Sequence, residues 1–294
     1  MRFSTIARPI AAIAVAVVAN AAPVMTRSSS HDKTVKTLNY ALTLERLQSE
    51  FYKQGLAKFD AQAFTDAGFG GNIREHFVHI GEQENDHVAL LTSAITSMKD
   101  DPVPACEYSF PLDTLTQFLS LSQALENTGV SAYLGAIKGL EGDLLTAAAA
   151  ITTVEARHAA YLNELWGQAG YPYALDTVLT PEQIVTMAMS FIKCPYDLGV
   201  ESFHPLKATL SSPDSMMVMT DFSGDHADQM DSTWCQFLYG TKTAVSPRSD
   251  CKLPEDAAGY VFVLVTDSDE PVTTSQQDNI LAGPALLYNG TSIY

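Results

Sequence analysis

A glutamate in the middle of an apolar helix face occurs four times in this chain, and this feature constrains the fold more than any other. Helical patterns with few breakers run over about 34–56, 73–99, 112–138 and 142–166. In each of them the apolar residues recur at the helical period and form one face, with a Glu at its centre. Burying a carboxylate without compensation is costly, so the patterns predict a bundle in which these four side chains meet.

The connections indicate how the helices are joined. The third and fourth are separated by 138–142, a short link that is typical of antiparallel neighbours. The second and third are separated by 100–111, and about 12 extended residues at roughly 3.3 Å each can run the length of a bundle. Residues 57–72 end in Gly-Phe-Gly-Gly-Asn and predict a loop. The sequence therefore predicts a mainly α fold, a four-helix bundle with one long crossover.

A fifth helix and a small β-rich extension are predicted beyond the bundle. Thr180 with the following Pro-Glu is a helix start signal, and Cys194-Pro195 ends the pattern, so this helix is expected over 181–193. From residue 205 onward, short runs of β-forming residues alternate with turns rich in Gly, Pro, Ser and Asp. Strands are predicted at 216–220, 234–239, 259–266 and 280–288.

The N-terminus predicts export. Basic residues at Arg2 and Arg8, an apolar stretch over 9–18 and the small-x-small site Ala19-Asn20-Ala21 are the three parts of a secretory signal. We therefore expect a secreted protein, extracellular or in the cell wall. The predicted division of the chain is a signal peptide at 1–21, a flexible segment at 22–33, a helical bundle at 34–200 and a β-rich extension at 205–294.

The cysteines agree with export. Four Cys without a CxxC pair, an even number in an oxidising compartment, indicate two disulfides rather than a thiolate metal site. Three pairings are possible, and we favour Cys235–Cys251 within the extension and Cys106–Cys194 between two loops. Asn289-Gly290-Thr291 matches the N-glycosylation signal, which is compatible with secretion.

The charge excludes several classes of partner. The chain has 34 acidic and 17 basic residues, a formal net charge of −17. An acidic surface repels phosphate backbones and anionic lipid headgroups, so neither nucleic acid nor an anionic membrane is expected as a partner. After the predicted signal, no stretch has the length and apolarity of a transmembrane helix, and we expect no integral membrane segment.

Two helices carry Glu-x-x-His in the centre of their apolar face. Glu84 and His87 lie on the second helix, and Glu155 and His158 lie on the fourth. Residues three apart on a helix project to the same side, so each pair can present two ligands to one site. A third copy, Glu201-Ser202-Phe203-His204, is followed by proline and has no apolar stripe around it, so we interpret it as a coincidence.

The other two helices share a different pattern. Glu45 is followed seven residues later by Tyr52, and Glu126 is followed in the same way by Tyr133. The chain is thus a duplicated helical hairpin, Glu…Tyr and then Glu-x-x-His, twice. The tyrosines allow two interpretations: core residues with a satisfied hydroxyl, or catalytic residues that hydrogen-bond a ligand or donate an electron.

One Glu from each of two helices and Glu-x-x-His from each of the other two is the ligand set of di-iron and di-manganese carboxylate bundles. Two divalent metals supply the positive charge that compensates four buried carboxylates. A single Glu–His pair is more often structural, but four helices in register favour a site for two iron or manganese ions, which this ligand set does not distinguish. The predicted ligands are Glu45, Glu84, His87, Glu126, Glu155 and His158, with Glu84 and Glu155 as bridges.

Several segments resemble a known family. They are 38–45, 84–91 and 125–136 in the bundle and 259–266 and 280–285 in the extension. These segments are similar to the secreted ferritin-like proteins, which include plant desiccation-related proteins and fungal nutrient-stress and late sexual development proteins; the extension resembles the fungal branch. The resemblance implies a ferritin-like bundle with a C-terminal extension, expressed in stress or development, and gives the six predicted ligands their roles.

These observations predict an exported protein with a di-metal carboxylate site and redox chemistry on peroxide or dioxygen, similar to manganese catalases or to ferroxidases. The alternative is a non-enzymatic, structural or stress-protective cell-surface protein that keeps the site as a relic or uses it to sequester metal. Metal content distinguishes the two, because such sites need metal to neutralise their carboxylates.

Overall fold

The computed structural model describes residues 25–212 and 215–289. Within them the predicted fold class, a mainly helical bundle followed by a β-rich extension, is confirmed. The helices are α1 (Met25–Lys58), α2 (Ala61–Asp66), α3 (Ile73–Ser97), α4 (Leu115–Ala136), α5 (Gly142–Leu165) and α6 (Pro181–Ala188). The strands are β1 (Glu107–Tyr108), β2 (Ile192–Lys193), β3 (Lys207–Leu210), β4 (Val218–Asp221), β5 (Trp234–Tyr239), β6 (Lys242–Pro247), β7 (Gly259–Thr266) and β8 (Ile280–Asn289).

Four long helices form the bundle as two hairpins. Helix α1 packs mainly against α3, and α4 packs mainly against α5, while α1 also contacts α4 and α3 contacts α5. The long segment between α3 and α4 is the predicted crossover, and the short link between α4 and α5 joins antiparallel neighbours. The pairing follows the duplication, since each hairpin contributes one Glu…Tyr helix and one Glu-x-x-His helix.

The N-terminal boundary differs from the prediction. We expected a flexible segment at 22–33, but α1 already begins at Met25. No Gly or Pro occurs between Met25 and Asp32, so nothing in the sequence interrupts the helix there. The imidazole of His31 also lies 3.2 Å from the carboxylate of Asp100, after the end of α3. The predicted signal peptide at 1–21 lies outside the described residues.

Two local predictions were wrong in the helical part. The predicted loop at 57–72 contains α2, whose first turn is capped by the side chain of Asp60 and whose Phe64 is buried. Helix α6 ends at Ala188 instead of 193, and residues 192–193 form β2, which pairs antiparallel with β1. The disulfide Cys106–Cys194 lies directly beside this pair and holds the two short strands together.

The extension is built on an antiparallel sheet with the strand order β6-β5-β7-β8. The central strand β7 is buried along its whole length. Strands β5 and β7 have the predicted bounds, whereas β6 and β3, which pairs with β4, were not predicted. The disulfide Cys235–Cys251 ties β5 to the loop after β6, and both predicted disulfide pairings are therefore confirmed.

The sheet packs on the bundle through alternate residues of β7. Tyr260, Phe262 and Leu264 share one core with α4 and α6, through residues such as Ala132 and Ile184. The intervening residues of β7 share a second core with β5 and the segment around Cys251. The extension therefore covers one side of the bundle, along α4 and α6.

Candidate metal centre

Four helices bring the six predicted ligand side chains together in the middle of the bundle. The carboxylates of Glu84, Glu126 and Glu155 have no exposed surface, and Glu45 is 2% exposed. The two histidines are also buried. Each side chain points inward because it lies at the centre of its helix's apolar face, as the periodicity predicted. The six residues are Glu45 on α1, Glu84 and His87 on α3, Glu126 on α4, and Glu155 and His158 on α5.

The distances divide the cluster into two overlapping groups. The Nδ1 atom of His87 lies 3.2 Å from Glu45 Oε2 and 3.5 Å from Glu155 Oε1. The Nδ1 atom of His158 lies 3.1 Å from Glu126 Oε2 and 3.4 Å from Glu84 Oε1.

Ligand atoms within 4.8 Å of one another form a first group of Glu45, Glu84, His87 and Glu155, and a second of Glu84, Glu126, Glu155 and His158. Glu84 and Glu155 thus belong to both groups, which is the position of a bridging ligand.

Burial and mutual repulsion shift the proton affinities of the cluster. Burial, and next the charge of Glu84, raises the pKa of Glu45 to about 7. Burial opposes protonation of His87 and His158, but hydrogen bonds to the surrounding carboxylates outweigh it and raise their pKa to about 12 and about 10. Without metal, protons on these groups carry the positive charge that the carboxylates require.

The site fits divalent metal ions. Glu84 Oε1 and Glu155 Oε1 are buried oxygens without a hydrogen-bond partner in the part of the chain that the structure describes. Buried polar atoms are normally satisfied. Each of these oxygens forms a long ion pair with a histidine Nδ1, 3.4 Å for Glu84 and 3.5 Å for Glu155, so both can still accept a cation. Carboxylate and imidazole together suit iron, manganese or zinc. The cluster can therefore bind metal ions.

Comparison with known proteins agrees with this geometry. The family model of the ferritin-like domain matches residues 33–168, which span α1 to the end of α5. The fold of residues 33–168 is thus ferritin-like. Protein rds1 of Schizosaccharomyces pombe is 29% identical over 169 residues, which cover 56% of this chain and 40% of that protein. The match thus covers well under half of the length of the curated relative. The ferritin-like resemblance predicted from the sequence is confirmed.

The two predicted tyrosines contact the cluster across the ferritin-like bundle. Tyr52 on α1 donates a hydrogen bond of 2.6 Å to Glu126 Oε1 on α4, and Tyr133 on α4 donates to Glu45 Oε1 on α1. Burial, and next the charge of the adjacent glutamate, raises the pKa of both phenols well above the usual range. They therefore remain protonated donors. The contacts satisfy both hydroxyls and also join each phenol to a candidate ligand, so they agree with both sequence interpretations.

Sequence reasoning missed two polar side chains that contact the cluster. The amide of Gln48 on α1 donates to Glu84 Oε2 at 3.1 Å and to Glu155 Oε2 at 3.3 Å. Gln83 Oε1 on α3 lies 2.6 Å from Nε2 of His158 and fixes the orientation of that ring. Gln48 could have been found, because it stands three residues after Glu45 on the same helix face. Gln83 points away from the apolar face, and its contact needed the structure.

The position that matches Gln48 in the second hairpin is Gly129, three residues after Glu126. A Cβ at Gly129 would overlap Glu155 Oε2 and lie 3.0 Å from Gln48 Oε1. The glycine is therefore required for space, and one glutamine serves both bridging carboxylates from one side of the centre.

The remaining candidates from the sequence do not join the cluster. Glu201 and His204, the third copy of Glu-x-x-His, are exposed. Among the helices that the structure describes, none is long and apolar enough to cross a membrane.

Proposed function

We propose that this protein binds two iron or manganese ions in the buried centre and uses them for redox chemistry on peroxide or dioxygen. The observation that carries the proposal is that Glu84 and Glu155 belong to both groups of ligand atoms. A pair of iron or manganese ions held by shared carboxylates would supply two-electron redox chemistry when bound.

In this proposal the ligands of the two ions are the two groups of residues that the distances between ligand atoms define. Glu45 and His87 would hold one ion and Glu126 and His158 the other, while Glu84 and Glu155, which belong to both groups, would bind both. The histidines present Nδ1 to the centre, and Gln83 holds the far nitrogen of His158. The bonds from Tyr52 and Tyr133 engage Oε1 of each outer glutamate. The other oxygen, Oε2, lies beside a histidine Nδ1, and this pair of atoms would face the metal.

The chain's own residues also hold the protons that the reaction exchanges. In the metal-free chain burial raises the pKa of Glu45 to about 7, so metal binding at this ligand should release a proton near neutral pH. The two phenols are catalytic candidates in this sense, since each keeps a proton one hydrogen bond away from a ligand. Tyr52 is fully enclosed, whereas Tyr133 is 6% exposed.

We further propose that the protein acts outside the cell, in stress or development. The predicted signal at 1–21, the two disulfides and the resemblance to secreted ferritin-like proteins support this. Disulfides persist mainly in oxidising compartments. Tagged chains with and without residues 1–21 test the location, and equal retention inside cells of the full chain and the truncated chain would contradict export.

The metal proposal is tested on protein purified from culture medium without added metal. We expect about two iron or manganese ions per chain by mass spectrometry, because six protein ligands match two ions. Glu84→Ala with Glu155→Ala should abolish binding. The matched control is Glu201→Ala with His204→Ala, which removes the exposed copy of the motif and should leave metal content unchanged. Less than about one ion per chain in the native protein would contradict the proposal.

Activity then separates the two functional classes. Metal-loaded protein should disproportionate hydrogen peroxide, if it resembles manganese catalases, or oxidise ferrous iron with dioxygen, if it resembles ferroxidases. Loss of that activity in the double glutamate variant, and not in the exposed-motif control, supports the enzyme. Full metal loading without either activity would favour the alternative, a stress-protective protein that sequesters metal.

A further inference from the structure

The two ends of the centre differ in the packing around their tyrosines. At the end of Tyr52, the rings of Phe77 and Phe118 lie 6.5 and 6.1 Å from the tyrosine ring and 5.5 Å from each other. Both phenylalanines are fully buried. Phe118 packs directly over Gly55, where a Cβ would overlap its ring. Aromatic side chains therefore fill this end completely.

For each of the two phenylalanines, the matching position in the opposite hairpin carries a small side chain. Phe77 stands seven residues before Glu84, and the residue seven before Glu155 is Ala148. Phe118 stands eight residues before Glu126, and the residue eight before Glu45 is Thr37. The duplication that keeps the ligands and tyrosines thus replaces two aromatic rings by a methyl group and a threonine.

A cavity of about 480 Å³ occupies the space beside Tyr133. Ala148 and Thr37 both line it, together with Tyr133 itself. The rest of its wall is aliphatic or small, with residues from α1, α3, α4 and α5 and the link between α4 and α5. Cavities of about 300–1,000 Å³ are the size that small-molecule sites have. The missing rings therefore leave room for a ligand.

The lining determines the chemistry of that ligand. Among the described residues that form the wall, Asp143 alone carries a formal charge, and it lies exposed at the rim. The hydroxyl of Tyr133 is already engaged with Glu45. An anion would meet the carboxylate of Asp143 at the rim. The wall also has the hydroxyls of Thr37, Ser93 and Ser97, but Thr37 and Ser97 already donate to backbone carbonyls, so a strongly polar molecule would find few partners.

We propose that the cavity binds a small, neutral, apolar molecule against Tyr133. The bound molecule lies one residue away from Glu45, since Tyr133 contacts both. Its role as a substrate or effector of the metal centre rests on the proposed function, whereas binding itself needs no metal. At the other end, the rings of Phe77 and Phe118 pack against Tyr52 instead.

The test uses the full chain and the neutral fluorescent dye N-phenyl-1-naphthylamine, whose emission rises in apolar surroundings. Wild-type protein should bind the dye at one site. Ala148→Phe restores the ring of the sealed end and should weaken binding by at least about tenfold, because the cavity no longer holds the dye. Ala94→Phe, at a half-buried position of the same wall, should act in the same direction and covers the case that Ala148→Phe does not fold.

The matched control fills a different cavity. A space of about 330 Å³ lies between the bundle and the extension, and Ala124 lines it. Ala124→Phe should leave dye binding unchanged. The proposal would be overturned if Ala148→Phe and Ala94→Phe both bound the dye as tightly as wild type. It would also be overturned if Ala124→Phe lost dye binding instead. Circular dichroism and melting temperature confirm that each variant is folded.

A metal-loaded sample gives a second readout that separates this inference from the proposed function. Dye bound at Tyr133 should change the visible or paramagnetic spectrum of the loaded centre in wild type and not in Ala148→Phe. Absence of metal contradicts the proposed function but leaves dye binding by the metal-free chain as the test of the cavity. An unaltered spectrum on saturation with dye would overturn the link to the centre.

Discussion

The two ends of the candidate metal centre carry the same functional residues in different surroundings. Each end has a tyrosine that donates to the outer glutamate of the opposite helix. Around Tyr52, rings from α3 and α4 pack closely, whereas around Tyr133 a methyl group and a threonine line a cavity. The comparison teaches that the ligand pattern decides where the candidate ligands meet, while apolar positions about two turns away decide how the space beside each tyrosine is filled.

The largest expected difference between the ends concerns stability. Phe77→Ala removes a fully buried ring and should lower the free energy of unfolding by about 3–5 kcal/mol. Ala148→Gly, at the matching position, should cost only about 1 kcal/mol, mostly through helix propensity. Urea unfolding of chelator-treated protein measures both. Equal losses would mean that the cavity end is as tightly packed as the aromatic end.

The next largest effect is expected from a substitution at Gly129, the position that matches Gln48, and it concerns metal affinity. A Cβ at Gly129 would overlap Glu155, so Gly129→Ala should displace a bridging carboxylate and weaken metal binding by about 10–100-fold. Competition with a chelator of known affinity gives the constant. Gly70→Ala is the control, since a Cβ there meets no atom within 4 Å. The glycine is not needed for the centre if both variants bind metal as wild type does.

Removing the hydroxyl should lower the free energy of unfolding more at Tyr52 than at Tyr133. In Tyr52→Phe no water can replace the lost donor to Glu126, and we expect a loss of about 1–3 kcal/mol in the free energy of unfolding. In Tyr133→Phe a water molecule in the cavity can donate to Glu45, so the loss should be smaller, about 1 kcal/mol or less. Denaturant unfolding of the metal-free variants compares them, and a larger loss for Tyr133→Phe would contradict the open end.

The smallest expected effect is a dependence on pH at the open end. The pKa of Glu45 is raised from 4.5 to about 7, so the folded chain binds more protons than the unfolded chain in this range. Metal-free protein should therefore lose stability as the pH rises from 4.5 through about 7. Metal displaces these protons, so the melting-temperature increase on adding metal should be larger near pH 8 than near pH 5.

Glu45→Gln should flatten this pH dependence, because it removes the titrating carboxyl. Asp86→Asn, an exposed acid on α3, is the control and should leave the profile as in wild type. A Glu45→Gln profile that matches wild type would show that Glu45 does not titrate near pH 7.

Much of the fold could be predicted because it depends on long local patterns. The four bundle helices follow the helical period of their apolar residues over many turns, and the central strands β5 and β7 are mostly apolar runs between clear turn signals. The elements that were missed are short or mixed in composition. Strands β1, β2 and β3 have two to four residues, and α2 and β6 have six residues of which half or more are polar or proline. Such patterns contain too little information to overcome tertiary context.

The sequence by itself determined that Glu45, Glu84, Glu126 and Glu155 face one interior with their histidines, because helical phase is a local property of each segment. The tertiary structure decided the exchange of hydrogen bonds between Tyr52 and Glu126 and between Tyr133 and Glu45. It also decided that space remains beside Tyr133 and not beside Tyr52. Both depend on how the four helices pack against one another, and a cavity belongs to no single helix.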